Sequence, residues 1–203
     1  MTATADATQE DIRYVRQLAE SGAHAPLLGG RFMAWWGLLL TVAYALQHFA
    51  LHGRIGDGET VFGWIWGGFG LLGALGQFVL ARTISGKAGA GSAANRASRP
   101  AWFAAACAIG SMVVGVAIAA RDGGPQIFDW IVPVAFTAYA CALIVTGALA
   151  RSGITKAAGA GAVVMVGLFT ALIFSPDRYL LAAAGVFATV MLPGLLLLRA
   201  EPR

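Results

Sequence analysis

Six long apolar runs separated by short polar stretches set the pattern of this chain. They fall at Phe32–Leu51, Val61–Ala81, Ala101–Ala120, Trp130–Ala150, Ala157–Phe174 and Tyr179–Leu198, and none contains Asp, Glu, Lys or Arg. Each is close to the ~20 residues that cross ~30 Å of hydrocarbon at ~1.5 Å per residue. The pattern predicts an all-α membrane protein: six transmembrane helices paired by short connections as three antiparallel hairpins, residues 31–81, 101–150 and 157–198. The fifth run, AAGAGAVVMVGLFTALIF, is the shortest. Were it not to cross, the C-terminus would change sides.

Residues 1–30 read as a cytoplasmic tail carrying an N-terminal amphipathic interfacial helix. Thr8 and Asp11 stand at capping-box spacing. Ile12, Val15, Leu18 and Ala19 then share one helical face, with Arg13, Arg16, Gln17 and Glu20 turned away from it. Gly22 and Pro26 stop the helix. The competing reading is a solvated arm packed on its own loops. No cleavable signal peptide is expected, because Asp6, Glu10 and Asp11 precede any apolar core.

The longest interruption between the runs is RTISGKAGAGSAANRASRP, Arg82 to Pro100. It holds Arg82, Lys87, Arg96 and Arg99 and no acid, so it fixes the orientation of the chain. With the N-terminus inside, the inner segments hold Arg13, Arg16, Arg31, Arg82, Lys87, Arg96, Arg99, Arg151, Lys156, Arg199 and Arg203. The outer connections hold only Arg54, Arg121 and Arg178, beside Asp57, Glu59, Asp122, Asp129 and Asp177. The positive-inside rule then places both termini in the cytoplasm of a bacterial-type inner membrane. Arg82, Lys87, Arg96 and Arg99 become a basic cytoplasmic face able to meet anionic lipid or a protein partner.

Composition narrows the class further. Charged residues make up 12% of the chain, about half of the ~25% usual in soluble domains. The net charge of +4 follows from cations flanking the runs, so no nucleic-acid partner is implied. Cys107 and Cys141 fall inside apolar runs and read as small buried hydrophobes rather than a disulfide or metal pair. Trp35, Trp36 and Trp102 fall near the inner edge, and Trp64, Trp66, Trp130 and Tyr179 near the outer edge, as interfacial belts require.

Three aromatic pairs recur at one offset: Trp36 and Trp102, Phe62 and Phe128, Trp64 and Trp130 are each 66 residues apart. FGWIW and FDWIV are the local match, each following a glycine-containing polar loop. The spacing suggests that the second hairpin duplicates the first, with the third a diverged copy or an addition. The three-hairpin plan resembles that of small bacterial acid-resistance membrane proteins of the HdeD type, a resemblance of plan that transfers no residue role.

Two constellations stand out for packing and chemistry. Gly63, Gly67, Gly70 and Ala74 form a smooth stripe on the second span, the spacing that lets helix backbones approach closely in lipid. Packing against the first or fourth span is the expected use, with a homodimer seam as the alternative. His48 and His52, at i and i+4, share a face of the first span's outer end and have the geometry of a zinc or copper pair. Two ligands do not complete a structural site, so interfacial histidines are the simpler expectation. A further ligand would come from Asp57, Glu59, Asp122 or Asp129. Haem between two histidines of one subunit is disfavoured, because one helix cannot supply both sides. Pro133 and Pro193 are expected to bend their spans.

Nothing resembles a catalytic triad, a carboxylate pair within the membrane or a phosphate loop. Cys107, Ser111, Thr137, Tyr139, Cys141, Thr146, Thr170 and Thr189 are among the central polar groups of the runs and are expected to bond between helices. The expectation is therefore a non-enzymatic integral membrane protein without a cofactor: an accessory, scaffold or stress-related subunit. Its partners would be the lipid bilayer and a protein partner or second copy. The alternative is an oligomeric pore or a transporter of small solutes or lipid.

Overall fold

The computed structural model describes residues 12–13, 27–56, 58–83, 87 and 89–200. The expected interfacial helix therefore lies outside the described residues, except for Ile12 and Arg13. Six helices follow: α1 Gly30–Leu51, α2 Gly58–Arg82, α3 Ala93–Gly123, α4 Pro125–Leu149, α5 Gly153–Ala171 and α6 Arg178–Ala200. All six are long and apolar enough to cross a membrane. There is no strand among the described residues.

Capping residues place two of the starts. Ser92 precedes α3 and its hydroxyl accepts from Asn95 N at 3.3 Å; Ser152 does the same for Thr155 N at 3.3 Å ahead of α5. The Ser92 cap corrects the reading of the basic stretch. Ala93 to Pro100 are the opening turns of α3, which runs 31 residues through Pro100. At ~1.5 Å per residue that is ~46 Å, well beyond the hydrocarbon thickness. The glycine-rich part ends at Gly91, and Ala93 onwards is ordinary helix.

The two prolines act differently. Pro193 follows a π turn at Phe187–Met191 inside α6. Its ring would collide with the carbonyl of Thr189, four residues back, and a wider turn relieves that contact. Pro133 sits in the first α-helical turn of α4, just after the 3-10 turn Pro125–Trp130. There its missing N–H costs little.

In space the helices stand in the order α2, α1, α6, α5, α4, α3. The consecutive pairs α1–α2, α3–α4, α4–α5 and α5–α6 touch, while α2 and α3 stand at opposite ends; the broadest interface joins α1 to α6, followed by those of α4 with α5 and with α3. α4 and α6 are the most buried helices, while α2 and α3, at the ends of the row, are the least. Phe136, Leu143, Phe169 and Val186 fill the centre, each fully enclosed.

Glycines decide where backbones meet, because lipid is as apolar as the core and packing must supply the selectivity. A β-carbon on Gly194 of α6 would lie 2.4 Å from Ala34 N of α1, and one on Gly37 of α1 would lie 2.6 Å from Met191 Cα. Gly30 meets Leu198 N in the same way at 2.8 Å. Gly147 and Gly159 make the corresponding seam between α4 and α5, against Lys156 and Ile144.

The α2 stripe does not pack inside the molecule. A β-carbon on Gly63, Gly67 or Gly70 would meet nothing within 4 Å. α2 rests on α1 through another face, where Gly73 and Gly76 receive the rings of Trp36 and Trp35. The expectation of close packing against the first or fourth span is thus overturned: two indoles need the room that Gly73 and Gly76 leave, and this turns Gly63, Gly67, Gly70 and Ala74 outward. Cys107 and Cys141 are likewise exposed rather than buried. An apolar run bounded by lipid does not reveal which of its faces turns inward.

Candidate functional site

The end of the bundle where α1 finishes and α6 begins holds a cluster of polar side chains. Asp129, in the 3-10 turn that opens α4, is 5% exposed. It accepts the Tyr179 hydroxyl. Arg178 Nε lies 3.1 Å from Asp129 Oδ1 as an ion pair without the geometry of a hydrogen bond, and Arg178 Nη1 donates to Ser175 O at 3.1 Å. Tyr179 is buried, so it is a core residue and not the belt residue expected from its position. Its ring stacks on Tyr44, which meets Trp66 edge-on; Trp66 Nε1 donates to Gln47 Oε1 at 3.1 Å. α1, α2, α4 and α6 are joined through this network.

His48 and His52 stand beside it. His52 Nδ1 lies 2.8 Å from His48 O, and the two rings are 4.2 Å apart. His48 Nε2 is 3.9 Å from Asp177 Oδ1 in the turn before α6. One ligand atom from each of His48, His52 and Asp177 lies within 4.8 Å of the others. The third member is therefore Asp177, which the sequence did not single out. Asp129 is occupied by Tyr179 and Arg178, Asp122 lies outside the group, and the side chains of Asp57 and Glu59 lie outside the described residues.

The opposite end carries the basic stretch. Arg82 places its guanidinium 4.0 Å over the Phe78 ring, Arg96 and Arg99 are exposed on the first turns of α3, and Lys87 is half-buried in the α2–α3 connection. Asn95 holds that connection down: it is 5% exposed, its Oδ1 accepts from Leu28 N at 3.1 Å, and its Nδ2 donates to Gly89 O at 2.9 Å. Arg31 Nη1 donates to Thr83 Oγ1 at 2.7 Å and Trp36 Nε1 to Gln77 Oε1 at 2.9 Å, which ties α1 to the last turns of α2. Asn95 was hidden in the polar interruption between two apolar runs; its position three residues after a capping serine is the one signal that could have found it.

Between the two ends three of the hydroxyls turn back on their own helices, while Thr146 Oγ1 is buried without a hydrogen-bond partner. Thr137 donates to Pro133 O at 2.9 Å, Thr170 to Val166 O at 2.7 Å and Thr189 to Gly185 O at 2.7 Å. They do not bond between helices as expected. Thr137 and Thr170 are exposed, and a hydroxyl facing lipid has only its own backbone to bond. Two shallow apolar grooves, about 320 and 180 Å³, run beside α2 where it meets α1.

Six apolar helices with polar clusters at their ends define the class: a multi-pass helical membrane protein. No family model, curated protein or solved structure matches the chain.

Proposed function

We propose that this is a small non-enzymatic subunit of a bacterial-type inner membrane, acting as an accessory or scaffold through lateral helix packing. In this reading the three hairpins all cross, both termini are cytoplasmic, and Arg82, Lys87, Arg96 and Arg99 form a basic face toward anionic lipid or a partner. One observation carries it. α2 sits at the end of the helix row, and its stripe of Gly63, Gly67, Gly70 and Ala74 lies outward and open. In lipid such a surface favours close approach of another helix, from a partner or a second copy. The back-bonded hydroxyls of Thr137, Thr170 and Thr189 also favour this reading over a transporter, because they offer no lining for a polar path.

Gly67→Leu tests it. In native-membrane crosslinking, the parent should give a discrete higher-mass product that Gly67→Leu lacks, while both proteins denature at the same temperature in detergent. An identical crosslinking pattern for parent and variant would remove the stripe from the account. Selective flux of an ion or small solute through the purified protein in liposomes would replace the scaffold reading with the transporter.

A further inference from the structure

We propose that His48, His52 and Asp177 form a binding site for a divalent transition metal of the zinc class, clamping the end of α1 to the start of α6. The proposal rests on three features of the cluster and does not depend on the scaffold reading.

The first is an unsatisfied imidazole. His48 is 9% exposed, and its Nδ1 is buried without a hydrogen-bond partner. Its Nε2 stands 3.9 Å from Asp177 Oδ1, too far for a hydrogen bond. A buried imidazole nitrogen without a partner is costly. With the proton on Nδ1, the Nε2 lone pair faces Asp177 and is available to a metal ion.

The second is the state of His52. With Nδ1 2.8 Å from the His48 carbonyl, the bond requires the Nδ1–H tautomer, which leaves the Nε2 lone pair free. Metal-ligating histidines are oriented in this way by a backbone carbonyl on the opposite nitrogen. Here one residue supplies both a ring to the cluster and the carbonyl that sets its neighbour's tautomer.

The third is the separation of the donors. One ligand atom from each of the three residues lies within 4.8 Å of the others. Zinc–nitrogen and zinc–oxygen bonds of ~2.0–2.2 Å in a tetrahedron place ligand atoms ~3.3 Å apart. The cluster must therefore contract by about an ångström, and the Asp177 side chain, 67% exposed in the turn before α6, has the freedom to move. Two imidazoles and one carboxylate suit zinc, copper or nickel rather than magnesium or calcium, which prefer all-oxygen shells. Three protein ligands leave one position to water or an exchangeable ligand.

The clamp complements the glycine seam. α1 and α6 are already locked near Gly30 and Gly194 at one end. At the other end they meet through aromatic rings, so a bond between His48 and Asp177 closes the pair over its whole length.

The test uses tag-free full-length protein in detergent, stripped with chelator and equilibrated with Zn²⁺ alone. One zinc per chain should remain after gel filtration and raise the denaturation temperature. Asp177→Asn and His52→Ala both change exposed side chains, so both variants should fold, and each should weaken zinc binding at least tenfold and abolish the thermal shift. Co²⁺ in place of zinc should give tetrahedral absorption bands in the parent that Asp177→Asn loses. The absence of stoichiometric zinc in the parent would overturn the proposal. So would equal binding by the parent and both variants, which would place the metal elsewhere.

Discussion

Asp129 is 5% exposed and serves both the Tyr179 hydroxyl and the Arg178 guanidinium. Removing it strands two polar groups at once. Asp129→Ala should cost about 3 kcal/mol, the lower end for breaking a buried ion pair, because Arg178 keeps a fifth of its side chain in contact with solvent. Tyr179→Phe leaves Asp129 with Arg178 and should cost less, about 1.5–2 kcal/mol, the lower end for one lost bond to a charged group. Thermal denaturation of the two variants in one detergent gives the order. A Tyr179→Phe protein less stable than Asp129→Ala would mean that the ring stack on Tyr44, and not the carboxylate, organises this end. The sequence offered His48 and His52 as a pair, since i and i+4 on a helix are neighbours by geometry. Asp177 was not legible beside them, because 125 residues separate it from His52 and only the contact between α1 and α6 brings them together.

At the level of helices, apolar run length was sufficient to find all six spans, and each run lies within or close to its helix. Helix faces were not legible. The smoothest glycine stripe, on α2, is open, whereas Gly30, Gly37 and Gly194 carry the closest backbone contacts. The reason is physical: a lipid-facing and a protein-facing surface are equally apolar, so hydropathy has no periodic signal to give. Gly37→Leu should therefore destabilise by about 1–3 kcal/mol, since its side chain would run into the Met191 backbone, which cannot move aside. Gly67→Leu should stay within about 0.5 kcal/mol of the parent. Denaturation curves that reverse this order would contradict the placement of α2. Asn95 gives a second test. Asn95→Ala removes the bonds to Leu28 N and Gly89 O, worth ~1–2 kcal/mol together. The α2–α3 connection should then be cut about tenfold faster by trypsin, because local opening becomes more frequent. An unchanged rate would show that other contacts hold it.

For the whole molecule, α1 and α6 form the closest pair, and α2 and α3 stand at the ends of the row. The 66-residue aromatic offset has a partial counterpart in space. Trp36 packs into Gly73, and Trp102 lies 6.2 Å from the Tyr139 ring, with Gly73 and Tyr139 themselves 66 positions apart. The proposed orientation rests on charge: Arg31, Arg82, Lys87, Arg96, Arg99, Arg151, Lys156 and Arg199 lie on connections or helix ends of the proposed cytoplasmic side, against Arg54, Arg121 and Arg178 on the other. The measurement that bears most directly on this architecture is a series of reporter fusions along the chain. Fusions after Ala94, Ser152 and Arg203 should read cytoplasmic, and fusions after Gly58 and Gly124 should read outside. An outside signal at Arg203 together with cytoplasmic signals at Ala94 and Ser152 would mean that α5 or α6 does not cross, and would contradict the six-span account.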